Sequence, residues 1–249
     1  MLWPVDEPWP RCCDADPYDH DYVSPAEPEP PLVPILQLFA EDVPEIPFPD
    51  GTDVLQVLWC PFDHDSFPRP ELRWRRRADV GARRPAMPEP DPESDPERVP
   101  RRCLLDPERV TEYPSWDLPK DVRQLLEDRF SQLKSATGWD YEADLSVAPG
   151  TKIGGYPGWV QLPDWPVCDC GKVMNHLLTV ASLDFDDANG KRWVPLEDRP
   201  VPPVPSGAAW YSATEQNPTG LMIGDVGGMY LFVCTSCTDR PFAYRFDNS

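Results

Sequence analysis

Long apolar runs are missing from this 249-residue chain, and none approaches the roughly 20 residues that a bilayer-spanning helix needs. The opening Met1-Leu2-Trp3-Pro4 lacks the charged and apolar stretches of a secretory signal, so the cytoplasm is the expected compartment. Basic residues are scarce as well. Lys and Arg number 23 against 43 Asp and Glu, a formal net charge of -20, and such a field repels phosphate backbones and anionic lipid. Nucleic acid and membrane are therefore excluded as expected partners. Only three histidines are present, and H-E-x-x-H, G-x-S-x-G and a P-loop are all absent. His20, His64 and His176 are read as structural or solvated, not as general bases.

What is present is aromatic bulk, proline and paired cysteines. The 10 Trp, 9 Phe and 8 Tyr can offset the entropy of ordering a backbone, which excludes wholesale disorder. The 35 Pro are about three times the usual share, and proline belongs neither in helix interiors nor in central strands. Long irregular connections are expected, above all where proline alternates with acid over residues 24–31 and 87–100. Between these stretches, Leu32 to Phe39 and Val54 to Cys60 are of strand length, with Asp50-Gly51 as a turn. Met174 to Leu183 and Met229 to Cys234 are two further apolar runs. Val122, Leu125, Leu126, Phe130 and Leu133 recur at helical spacing, with Asp117 as the expected N-cap and Gly138 as the stop.

Laid side by side, the two ends of the chain match in order. Trp9-Pro10-Arg11-Cys12-Cys13 pairs with Trp165-Pro166-Val167-Cys168-Asp169-Cys170, Ile35 to Leu38 with Leu177 to Val180, and Leu55 to Cys60 with Met229 to Cys234. The expected fold is α+β and β-rich: two pseudo-repeated halves, 1–116 and 138–249, joined by a bracing helix over 117–137.

Cys168-Asp169-Cys170-Gly171 and Cys234-Thr235-Ser236-Cys237 are two close pairs, the arrangement in which two tight turns offer four thiolates to one structural zinc. Buried thiols acting as small hydrophobes, or a disulfide, are the alternatives. Cys12, Cys13 and Cys60, followed by Asp63 and His64, form a degenerate echo in the first half. Asp184 to Gly190 fails the register of a calcium loop, and Asn189-Gly190 is read as a hairpin turn. Gly224 to Gly228 is read as another hairpin turn, because it precedes a strand and lacks a lysine. The run Arg73, Arg75, Arg76, Arg77, Arg83 and Arg84 is read as a solvated strand edge, with docking of an acidic ligand as the alternative.

Gly154-Gly155-Tyr156-Pro157-Gly158-Trp159, then Trp165-Pro166, Met174 to Val180, and Gly224-Asp225 leading into Tyr230 to Cys234, together resemble the YwqG-like family of bacterial domains. Leu36 to Leu38 and Asp53 to His64 resemble the first half of its actinobacterial members. The resemblance implies a pseudo-duplicated β-rich fold, shared more distantly with programmed cell death protein 2 and its relatives. Those act as chaperones of a basic ribosomal protein, and bacterial members are linked to toxin immunity. The functional expectation is a non-enzymatic, polypeptide-binding protein with a basic partner and a structural zinc. Its expected binding surface lies around Tyr156, Trp159 and Trp165, where the halves meet. A hydrolase using carboxylates in a cleft, or a redox sensor with exposed thiolates, are the competing readings.

Overall fold

The two central strands carry apolar residues at nearly every position, which suits a strand covered on both faces. In the computed structural model, which describes residues 1–12, 29–64, 67–81, 87–186, 190–195 and 213–247, these runs form two antiparallel sheets. The first has the order β1 (Val33–Phe39), β2 (Val54–His64), β3 (Phe67–Arg75). The second has the order β4 (Lys152–Ile153), β5 (Asn175–Ala181), β6 (Gly228–Val233), β7 (Phe242–Asp247). Among the described residues, helical structure is limited to α1 (Lys120–Thr137), the short helices α2 (Gly190–Trp193) and α3 (Ala213–Gln216), and single turns at Pro96–Arg98 and Tyr141–Leu145. No helix among the described residues is long and apolar enough to cross a membrane. His20, Cys13, Arg83, Arg84, the proposed turn at Asn189 and most of the first proline-acid stretch lie outside the described residues.

Strand periodicity explains how the sheets pack. Successive side chains point to opposite faces, so Leu55, Val57 and Trp59 of β2 meet Met229, Leu231 and Val233 of β6 in one core, together with Leu36, Leu38, Leu177, Leu178 and Val180. The halves thus share a single core. On the other face of β2, Leu58, Cys60 and Phe62 pack with Trp3, Cys12 and Leu32. On the other face of β6, Tyr230, Phe232 and Cys234 pack with Trp159, Cys168 and Met174.

The two sheets also pair in the same pattern. Gln37 lies opposite Gln56, and Thr179 opposite Tyr230. Trp59 faces Val33, and Val233 faces Asn175. A register shift falls between Pro34 and Leu36 in one sheet and between His176 and Leu178 in the other.

Two expectations about elements need correction. The helix begins at Lys120 with Pro119 at its N-cap position, because the residue before a proline is driven out of the α region and Leu118 cannot join the helix. Gly138, at φ 73°, does end it. The helix does not brace the halves: it buries none of its side chains, Leu125 is 76% exposed, and Phe130 stacks on Tyr141 of the turn that follows. Gly224-Asp225 is a turn entering β6 and not a hairpin, since β5 and β6 are joined by a long connection. Strand β7 escaped the sequence reading, and β3 was read only as the strand edge that carries the arginine run. Pro68 and Pro70 break the apolar pattern of β3, which its edge position tolerates, while Phe242, Tyr244 and Phe246 of β7 alternate and could have been recognised.

The joining is done by the extended segment that precedes the helix. Trp59 Nε1 donates to the carbonyl of Arg98 at 2.8 Å, and Arg98 Nη1 donates to the carbonyl of Met222 at 3.0 Å. Arg101 donates to the carbonyls of Asn217 and Pro218. Farther on, the Glu112 carboxylate accepts from the backbone N–H groups of Ala148 and Tyr156 and from Lys152 Nζ at 2.8, 2.5 and 2.7 Å. Both members of the Glu112–Lys152 pair are close to nine-tenths buried. Removing one partner of a buried ion pair strands the other, so Glu112→Ala is expected to lower the unfolding free energy by about 3–5 kcal/mol in urea titrations. Leu125→Ala on the exposed helix should change it by less than about 0.5 kcal/mol.

Candidate metal centre

Cys168 lies in a turn that pairs back on the chain entering β5: its N–H donates to the carbonyl of Lys172, and Met174 N–H donates to that of Pro166. The turn closes with Gly171 N–H on the carbonyl of Cys168 at 2.7 Å, and Gly171 takes φ 79°, a left-handed conformation that suits glycine. Cys234 follows β6 directly, and Cys237 sits in the turn between β6 and β7. Because β5 and β6 are hydrogen-bonded neighbours, the two turns meet at one end of the sheet.

All four sulfurs come together, lying within 4.8 Å of one another. The separations are 3.9 Å for Cys168–Cys237, 3.6 Å for Cys170–Cys234 and 3.7 Å for Cys234–Cys237. No disulfide joins the described cysteines. The thiols perturb one another: burial raises Cys234, but hydrogen bonds from Cys170 and from backbone N–H groups outweigh it and bring it down to about 7. Hydrogen bonds with Cys170 and Cys234 push Cys237 up to about 12. This set can hold a metal ion. A second group, Cys12, Cys60 and His64, has its donor atoms within the same mutual distance.

The aromatic residues expected to form a binding surface are distributed differently. Trp159 is only 6% exposed and packs against Trp165, Tyr230 and Phe232 at centroid distances of 6.1, 5.0 and 6.0 Å. It belongs to the apolar cluster behind the cysteines, on the face of β6 turned away from the shared core, and not to a surface where the halves meet. Trp165 is half-buried and donates Nε1 to Asp117, the residue expected to cap the helix. Tyr156 is half-buried beside Glu112. The loop they frame is pinned at both ends, since Tyr230 OH donates to the carbonyl of Gly158 at 2.6 Å and Asp247 accepts from the N–H groups of Val160 and Gln161. What it leaves outside is Val160 and Leu162, 53% and 78% exposed; Val167 and Val173, which face each other across an isolated bridge, are 62% and 60% exposed.

The described arginines of the run are occupied within the chain. Arg73 pairs with Glu7 and Glu71, Arg75 with Glu7, Arg76 with Asp79, and Arg77 with Glu41, and β3 is a sheet edge. A shallow groove beside α1 is lined by Ser131, Gln132, Ser135 and Ala136 and offers no carboxylate. No family model, no curated protein and no solved structure matches the chain.

His176, near the start of β5, is a buried titratable group with a fixed set of partners. One ring nitrogen is 2.9 Å from the carbonyl of Gly154 and the other 2.9 Å from Thr179 Oγ1. Burial, helped by the charge on Lys152, holds it down to about 4 against an ordinary 6.5. The unfolded chain therefore binds this proton more readily. The contribution is present above pH 6.5 and lost as pH falls through that value toward 4. Its size is about 3 kcal/mol. His176→Gln should lack this pH dependence, so the stability gap between wild type and variant should narrow by about 3 kcal/mol as pH falls from 6.5 toward 4, measured by urea midpoints at stepped pH.

Proposed function

We propose that this chain is a non-enzymatic polypeptide-binding protein of YwqG-like type, built from two copies of one β-rich half, with a structural zinc pinning the second. The observation that carries the zinc is the spacing of the four sulfurs. Tetrahedral zinc with bonds of about 2.3 Å sets its sulfurs about 3.8 Å apart, and the three separations of 3.6–3.9 Å straddle that value. Four thiolates close the coordination sphere, which leaves no position for an activated water and favours structure over catalysis.

Support for the duplication comes from the pairing pattern. Strand order, strand direction and the opposite-residue pairs coincide when β1, β2 and β3 are laid on β5, β6 and β7. The partner reading rests on charge and exposed apolar area. A net charge of -20 favours a basic polypeptide by complementarity. With Trp159 in the core, the contact residues become Val160, Leu162, Val167 and Val173 around half-buried Tyr156 and Trp165.

Untagged protein should contain zinc by elemental analysis, and a chelator strong enough to strip it should lower the melting temperature. Trp159→Ala should destabilise by about 3–5 kcal/mol, as loss of a buried indole does. A captured basic polypeptide should associate more slowly as salt rises and dissociate faster from Leu162→Asp/Val173→Asp. Unchanged dissociation from that variant would place the contact elsewhere.

A further inference from the structure

We infer that Cys12, Cys60 and His64 form a second metal site, of the two-thiolate, one-imidazole kind, that takes a divalent ion of the zinc class. The three residues come from separate places. Cys12 lies on a segment whose N–H donates to the carbonyl of Pro30 while Leu32 N–H donates to that of Pro10. Cys60 lies on the face of β2 turned from the shared core, and His64 ends the same strand past a register shift between Trp59 and Asp63. All three are buried, at 3%, 1% and 7% exposure.

Their geometry fits an ion. The donor atoms lie within 4.8 Å of one another, and Cys12 Sγ is 3.6 Å from His64 Nε2. A tetrahedral ion with bonds of about 2.3 Å to sulfur and about 2.0 Å to nitrogen holds those two atoms about 3.5 Å apart. Arg69 Nη2 stands 3.9 Å from Cys12 Sγ. Two thiolates neutralise a divalent charge inside the cluster formed by Trp3, Leu32, Leu58 and Phe62. Binding releases the two thiol protons to solvent and uses the neutral imidazole. Among the described residues, three protein donors converge here.

The second sheet supplies an independent parallel. The bonds that flank Cys12, between Cys12 and Pro30 and between Leu32 and Pro10, repeat around Cys168 as Cys168 to Lys172 and Met174 to Pro166. Cys60 stands one residue beyond the Trp59–Val33 pair, as Cys234 stands one beyond Val233–Asn175. Two thiols of this trio thus occupy the positions of two thiols in the four-sulfur centre, and His64, four residues after Cys60, takes the part of Cys237, three after Cys234.

The test is zinc stoichiometry by elemental analysis together with zinc K-edge absorption on the untagged full chain. The expected result is two zinc ions per chain and a coordination shell of sulfur with a minority of nitrogen. Cys60→Ser/His64→Gln should then retain one zinc in a sulfur-only shell, and Cys170→Ser/Cys237→Ser one zinc in a mixed shell. Wild-type protein with one zinc in a sulfur-only shell would overturn this site and leave the four-thiolate centre standing. One zinc in a mixed shell would support this site and remove the other. Protein without zinc would overturn both. If a double variant fails to fold, the wild-type shell alone decides.

Discussion

Everything in this fold depends on β2 and β6 being covered on both faces. A strand offers two faces, and each of these strands uses one to build the core that the halves share and the other to build a cluster of its own around cysteine. A slip of one residue in either strand would turn its cysteine into the shared core and its core residues toward the cluster. The apolar core and the placement of the thiols are therefore one constraint. Each sheet covers the inner face of the other, so the two halves share one core.

Charge is managed in the same spirit. The arginines of β3 and the turn after it answer acidic groups of their own half, and two of them, Arg73 and Arg75, lie over the ring of buried Trp3 at 5.3 and 4.4 Å. The cations are thereby drawn into packing, and the excess of acid is left to face outward. Among the charges drawn toward the interior, Glu112 is matched by Lys152 and by two backbone N–H groups. That carboxylate fastens the connecting segment to the second sheet and holds the backbone of Tyr156, so the link between the halves and the loop beside the four cysteines share one anchor.

The cysteine turns sit where the strand ladder stops. β5 and β6 hydrogen-bond along their lengths, but the turn before one and the turn after the other have no ladder to hold them together. Sulfur ligands to one ion would supply that closure. The same need exists at the matching end of β1 and β2, where Cys12 and Cys60 stand.

Some of this was legible in the residues. The four apolar runs became β1, β2, β5 and β6 because a continuous apolar stretch of strand length has few other ways to be buried. The close spacing within each cysteine pair pointed to Cys168, Cys170, Cys234 and Cys237 together. Gly138 ended the helix as a left-handed cap must. What the residues did not decide was where an amphipathic pattern would lie. The helical spacing of Val122 to Leu133 suggested a packed brace, yet the shared core was already filled by sheet residues and the helix stayed outside. Trp159, in a glycine-rich turn, read as a surface anchor until Tyr230 and Phe232 closed over it. The convergence of Cys12 and His64, 52 residues apart, and the docking of Glu112 on Lys152 are long-range contacts. Local pattern determines which segments can be strands, whereas only the pairing of distant strands and the volume left between them decides which side chains meet.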